Sequence, residues 1–150
     1  MNNYENITWE EFYKVLKDYR DKFFTGHMPE EKYYIEISTE INGLAIPEKA
    51  THADSILLFL NRWKCFIYQK ELFINLLVNW INNNKSQLEN LSVFTIENID
   101  LAVNSENIDF IYNSLMDFKN NGIVTMSDAA ASKISHLMIP KLFLMWDKNI

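Results

Sequence analysis

Three glycines and three prolines in 150 residues are the tightest restriction on what this chain can fold into. A many-stranded β fold needs a turn signal about every ten residues, and so few breakers do not supply them. Apolar residues instead recur at three- and four-residue steps, the spacing of one helix face. Trp9, Phe12, Tyr13, Leu16, Tyr19 and Phe23 form the first such face, behind Thr8-Trp9-Glu10-Glu11, which has the form of a capping box. Gly26 and Pro29 mark a stop and a restart. From Pro29 to Gly43, Tyr33, Tyr34, Ile37 and Ile41 keep a near-helical spacing. Tyr34-Ile35-Glu36-Ile37-Ser38 also alternates, so a helix is preferred here and a strand stays open. Ile56, Leu57, Phe59, Leu60 and Trp63 predict a helix apolar on most sides. Glu71 to Trp80 predicts another, closed by Asn82-Asn83-Asn84, and Ser86 to Ala102 reads as less regular. Asn104-Ser105-Glu106 is expected to cap a helix running to Phe118, with Asn120-Asn121-Gly122 ending it. The expected fold is an all-α compact bundle of about six or seven helices, one domain over residues 1–150.

Bulk properties narrow the function classes. A chain of this length buries a proper core without disulfides or metal. The single Cys65 excludes an internal disulfide and a cysteine-based zinc cluster, and its aromatic setting predicts a buried, inert thiol. His27 and His52 have no ligand-spaced partner, so neither a metal nor a cofactor is expected. No apolar run approaches the ~20 residues of a membrane span, and the polar start lacks a signal-peptide pattern; cytoplasmic location is the expectation. The net charge of −6 is uneven, with −4 in residues 1–50 and −1 in each of the following two fifties. A polyanion would therefore dock on the near-neutral remainder with modest electrostatic help.

The C-terminal third carries the most specific pattern. Ser127 or Thr125 is placed to cap a helix that opens on the small residues Ala129, Ala130, Ala131 and Ser132. Small side chains let another backbone or a ligand approach the helix N-terminus, whose free N–H groups suit a phosphate. Pro140 starts a new element, Leu142 to Trp146 are five apolar residues, and Asp147 follows directly.

This arrangement resembles the helix-hairpin-helix superfamily of DNA glycosylases, in particular the group with an 8-oxoguanine-glycosylase-like fold. Ile123 stands at the start of the family's hairpin, Ala131 at its packing alanine, Pro140 at its proline and Asp147 at its catalytic aspartate. Thr125 and Ser127 occupy the positions of the two hairpin glycines. Ala129 occupies the position of the Schiff-base lysine, which implies at most a glycosylase without lyase chemistry. The family domain continues past its aspartate, so the resemblance also implies a shortened C-terminal part. On this reading Asp147 is the catalytic residue, and Trp146, Phe143 and Trp63 wall a pocket for a flipped base. Thr125, Ser127, Lys133 and Lys141 are the DNA-binding set.

Read on their own chemistry, Lys133 and Lys141 are solvated helix charges, His136 is structural, and Asp147 is a capping acid. Three functions follow. The first is a glycosylase-fold, non-catalytic module that binds duplex DNA or a protein covering the C-terminal apolar surface. The second is a monofunctional base-excision glycosylase using Asp147. The third is a helical protein-interaction domain, supported by the acidic first third and the many aromatic residues.

Overall fold

A computed structural model describes residues 29–145 together with Lys14, which is helical and exposed. The helix expected over Trp9–Phe23 and its capping box otherwise lie outside the described residues, as do Trp146 and Asp147. The described chain is helical, with no strand among those residues. Within residues 29–145 there are six helices of eight or more residues: α1 (Pro29–Ile41), α3 (Ala53–Arg62), α4 (Lys70–Asn83), α5 (Lys85–Ser92), α6 (Leu101–Met116) and α7 (Asp128–Met138). A single turn, α2 (Ile46–Lys49), runs through the 3-10 turn Ala50–His52 into α3.

Residues 33–38 are helical, so periodicity 3.6 prevails there over the local alternation. Ile37 and Ile41, one turn apart, are the buried residues that decide it, and Gly43 at φ +87° turns the chain after them. In α4, Phe73, Leu77, Trp80 and Ile81 form one buried stripe. The region from Ser86 to Ala102 is more regular than its sequence predicts, because α5 buries Leu88 and Leu91. The start of α6 also differs from the expectation. Its cap is Asp100, whose carboxylate accepts from the Ala102 N–H, and not the Asn104-Ser105-Glu106 segment. An Asp with extended backbone satisfies an orphan N–H as well as Asn or Ser does, so several nearby caps compete and packing chooses.

Helix α3 packs against α1, α4 and α7, and α6 packs against α5 and α7. Helix α7 is the most enclosed element: residues 130–135, 137 and 138 are all buried. Its termini are satisfied from two places in the chain. Ser127, in extended conformation, accepts from the Ala130 N–H at 3.3 Å. At the other end the buried Lys49 donates to the carbonyls of Leu137 at 3.2 Å and Met138 at 2.7 Å. A cation on the last carbonyls also complements the negative end of the helix dipole. Burial lowers the Lys49 pKa from its ordinary value.

Lys49→Met keeps the apolar stem but strands two carbonyls in a dry site. It is expected to lower unfolding free energy by about 1–3 kcal/mol, read as a fall in the urea midpoint at constant slope. An unchanged midpoint would mean that those carbonyls do not depend on Lys49.

Candidate nucleic-acid interface

Between α3 and α4 the chain runs through residues 63–69, where charge, aromaticity and unusual backbone coincide. Helix α3 ends with its last carbonyls answered in the Schellman pattern: Cys65 N–H donates to the Leu60 carbonyl and Lys64 N–H to the Asn61 carbonyl. That pattern requires a left-handed residue, a role usually taken by Gly, and here Lys64 fills it at φ +59°. Phe66 is also left-handed, at φ +52°. Non-glycine residues with positive φ are uncommon, and a pair this close in sequence more so; each costs on the order of 1–2 kcal/mol.

Asn61 holds the segment in place. Its side-chain oxygen accepts from the Ile67 N–H at 2.6 Å and its amide donates to the Ile67 carbonyl at 2.8 Å. From there the side chains alternate. Cys65 and Ile67 are buried, as the aromatic setting predicts for the thiol, while Phe66 and Tyr68 face outward at 50% and 76% exposure. The two outward rings are nearly parallel, 24° apart with centroids 6.5 Å from each other. Exposed Arg62, Lys64 and Lys70 flank them, and no acidic residue occurs from Ser55 to Lys70. In a chain of net charge −6 this is a local positive stretch with interleaved aromatics, the composition that grips a nucleic-acid strand. Arg62 also lies over the Tyr33 ring, 4.4 Å from its centroid.

The same corner meets α7. The Lys133 ammonium sits 5.4 Å from the centre of the Trp63 ring. Trp63 packs on Phe59, Phe59 on Tyr34, and Tyr34 on His136, with centroids 5.5, 6.3 and 5.6 Å apart. The Tyr34 hydroxyl lies 2.8 Å from His136 Nε2, and His136 Nδ1 lies 2.6 Å from the Phe143 carbonyl. A carbonyl only accepts, so Nδ1 carries the proton and Nε2 accepts from Tyr34. His136 is thus structural, tying the chain after Pro140 back onto α7. Burial lowers its pKa below the ordinary 6.5, opposed in part by the bond to Phe143.

The residues expected to bind DNA differ in exposure and in their partners. Lys133 is 1% exposed, so it is neither the solvated helix charge that its sequence predicts nor open to a surface phosphate. The reason is the enclosure of α7 along its body, which leaves no solvent face at that position. Lys141 is exposed. Ser127 spends its hydroxyl on the cap, and Thr125 has a buried hydroxyl with no hydrogen-bond partner. Asp128 stands in the first turn of α7 and accepts from Tyr112 at 3.1 Å, with Tyr112 pushed up to about 12 by burial and by that carboxylate. A phosphate approaching the α7 N-terminus therefore meets a carboxylate already placed against the dipole. The small residues Ala130 and Ala131 are fully buried and serve packing. Phe143 is half-buried and lines a depression of about 200 Å³ with Ile96, Tyr112, Ser132, Leu142 and Leu144.

Comparison with family models, curated proteins and solved structures returned no match. The residues that the sequence reading missed are Arg62, Lys64, Phe66, Tyr68 and Lys70. Their signal was legible as three cations without an acid from Ser55 to Lys70 of an acidic chain, and as the alternation of residues 65–68.

Lys64→Gly relieves the left-handed cost and is expected to raise stability by about 1 kcal/mol, measured by urea unfolding; a drop would show that the Lys64 side chain itself stabilises the fold. For His136, the folded pKa is lowered. The stability it contributes is therefore fully present above the unfolded value near 6.5 and falls as pH drops through that value towards the folded one. Between about pH 7.5 and about pH 5.5 the parent protein should lose more stability than His136→Gln, compared by urea midpoints.

Proposed function

We propose that this chain is a non-catalytic, nucleic-acid-binding module of glycosylase-like fold, whose contact surface is the α3–α4 loop and not the α7 N-terminus. The observation that carries the reading is the loop at residues 62–70, where Arg62, Lys64 and Lys70 flank in sequence two outward aromatic rings on a strained backbone. Proteins keep costly backbone where a side chain must be presented in one direction. The hairpin-like succession of α6, a turn at Gly122 and Ser127-capped α7 is consistent with the resemblance in the C-terminal third. The preference for the loop over the α7 N-terminus rests on the enclosure of Lys133 and on Asp128 at that N-terminus. A monofunctional glycosylase using Asp147 is the alternative that an excision assay on damaged duplexes addresses.

A second reading has its own observation. Val93, Ile96, Leu101, Val103 and Phe110 are exposed at 71%, 52%, 62%, 71% and 49%, and Glu97, Asp100, Glu106 and Asp109 are interspersed with them. Exposed apolar side chains among carboxylates in one segment fit a cationic amphipathic protein segment. This segment and the loop differ in charge, so the two readings call on different residues.

The test is binding of a short duplex with an abasic-site analogue, beside an undamaged duplex, across a range of salt. Binding is expected to weaken as salt rises. Lys64→Ser combined with Lys70→Ser should lower affinity for both duplexes and flatten the salt slope by roughly 0.9 for each phosphate that the variant no longer neutralises. Binding that persists unchanged in the double variant would move the interface elsewhere, and no binding at low salt would leave the protein-interaction reading.

A further inference from the structure

We infer that Phe66 and Tyr68 form a stacking site for an unpaired nucleobase of DNA, so that the loop prefers unpaired over fully paired strands. The inference rests on the proposed nucleic-acid reading and specifies what that surface recognises. Three observations converge on it. First, the alternation about buried Cys65 and Ile67 sends both rings to solvent on one side, although nothing in core packing requires large aromatics at 50% and 76% exposure. Second, the rings are nearly parallel at 6.5 Å. That is close to twice the ~3.4 Å that one base occupies along a strand. Third, the cations Arg62, Lys64 and Lys70 lie within four residues of the rings in sequence, so a strand whose base meets the rings has its phosphates near positive charge.

Stacking of this kind is tolerant of sequence, because every base has a π-face. It also discriminates by structure. A base within a duplex has both faces covered by its neighbours, and exposing one to these rings costs unstacking, a cost that an unpaired base does not carry. The backbone supports the assignment. Asn61 clamps Ile67 through both its N–H and its carbonyl, and the Schellman ending of α3 holds Lys64 in place, so the rings stand on a segment fixed at its root. A fixed root presents the rings without an ordering cost at the moment of binding.

The experiment uses the full chain and three probes of matched length: a thymidine oligonucleotide, the same strand in a full duplex, and a duplex with a short unpaired bulge. Affinities are read by fluorescence anisotropy at low and moderate salt. The parent protein is expected to bind the single strand and the bulge roughly tenfold tighter than the duplex. Phe66→Leu and Tyr68→Leu should each lower affinity for the single strand and the bulge roughly tenfold, a larger loss than on the duplex, and Tyr68→Phe should bind like the parent. Far-ultraviolet circular dichroism and the urea midpoint of each variant establish that it is folded. The rings are exposed, so their replacement leaves the core intact. Equal affinity of the parent for paired and unpaired probes would overturn the inference, as would full single-strand binding by both leucine variants. If those variants bind normally while Lys64→Ser with Lys70→Ser abolishes binding, the stacking site is refuted and the charged surface stands. If the parent binds none of the probes at low salt, both the stacking site and the reading beneath it fall.

Discussion

Helix α7 is enclosed along its body, and a helix in that position meets little water with which to satisfy its peptide groups. Ala130, Ala131, Ile134 and Ser135 are at 0% exposure and Lys133 at 1%. Such a helix is stable only when its neighbours come close and its terminal peptide groups find partners within the protein. The small residues answer the first need and Ser127 and Lys49 the second. Lys49 belongs to α2, so a four-residue turn that looks minor in sequence is fastened to the centre of the bundle. His136 extends the same logic beyond the helix, bridging Tyr34 of α1 and the carbonyl of Phe143.

The enclosure of α7 redirects the chemistry. A lysine within a helix body is ordinarily a surface charge, yet Lys133 is turned inward against Trp63. It thereby joins the core to the root of the α3–α4 loop, since Trp63 is the residue at which α3 ends. At this corner the cations that reach solvent are those at the ends and along the length of the loop. Loops on a rigid frame are where binding residues accumulate, and this loop is framed by Asn61 below and by the buried Cys65 and Ile67 along its length. The positive φ values of Lys64 and Phe66 mark where the chain departs from what its residues prefer.

Charge is sorted along the chain more than the total implies. The net −6 disfavours a polyanion when taken as a sum. Yet the segment from Glu97 to Asp109 pairs acids with exposed apolar residues, whereas the stretch from Ser55 to Lys70 contains three cations and no acid, with Asp54 and Glu71 at its two borders. Field strength near a surface is set by charges within about a Debye length, ~10 Å at moderate salt, so such local sorting outweighs the total for a ligand in contact.

Local sequence determined the helical class, the helices around Ile56–Trp63 and Glu71–Trp80 and the buried Cys65, and narrowed the α7 cap to Ser127 or Thr125, because each depends on residues within a few positions of one another. The preference for helix over strand at residues 33–38 was also local, although only the burial of Ile37 and Ile41 together decides it. The start of α6 at Asp100 was not legible, since several polar residues there can cap a helix and the choice lies with packing. Nor was the inward turn of Lys133: a helix shows which residues share a face, but not how many neighbours will cover it. The aromatic and basic loop was written plainly as composition and alternation. Its geometry, with two rings held nearly parallel outside a clamped backbone, arises from Asn61 reaching across six residues to Ile67, and only the tertiary structure supplies that contact.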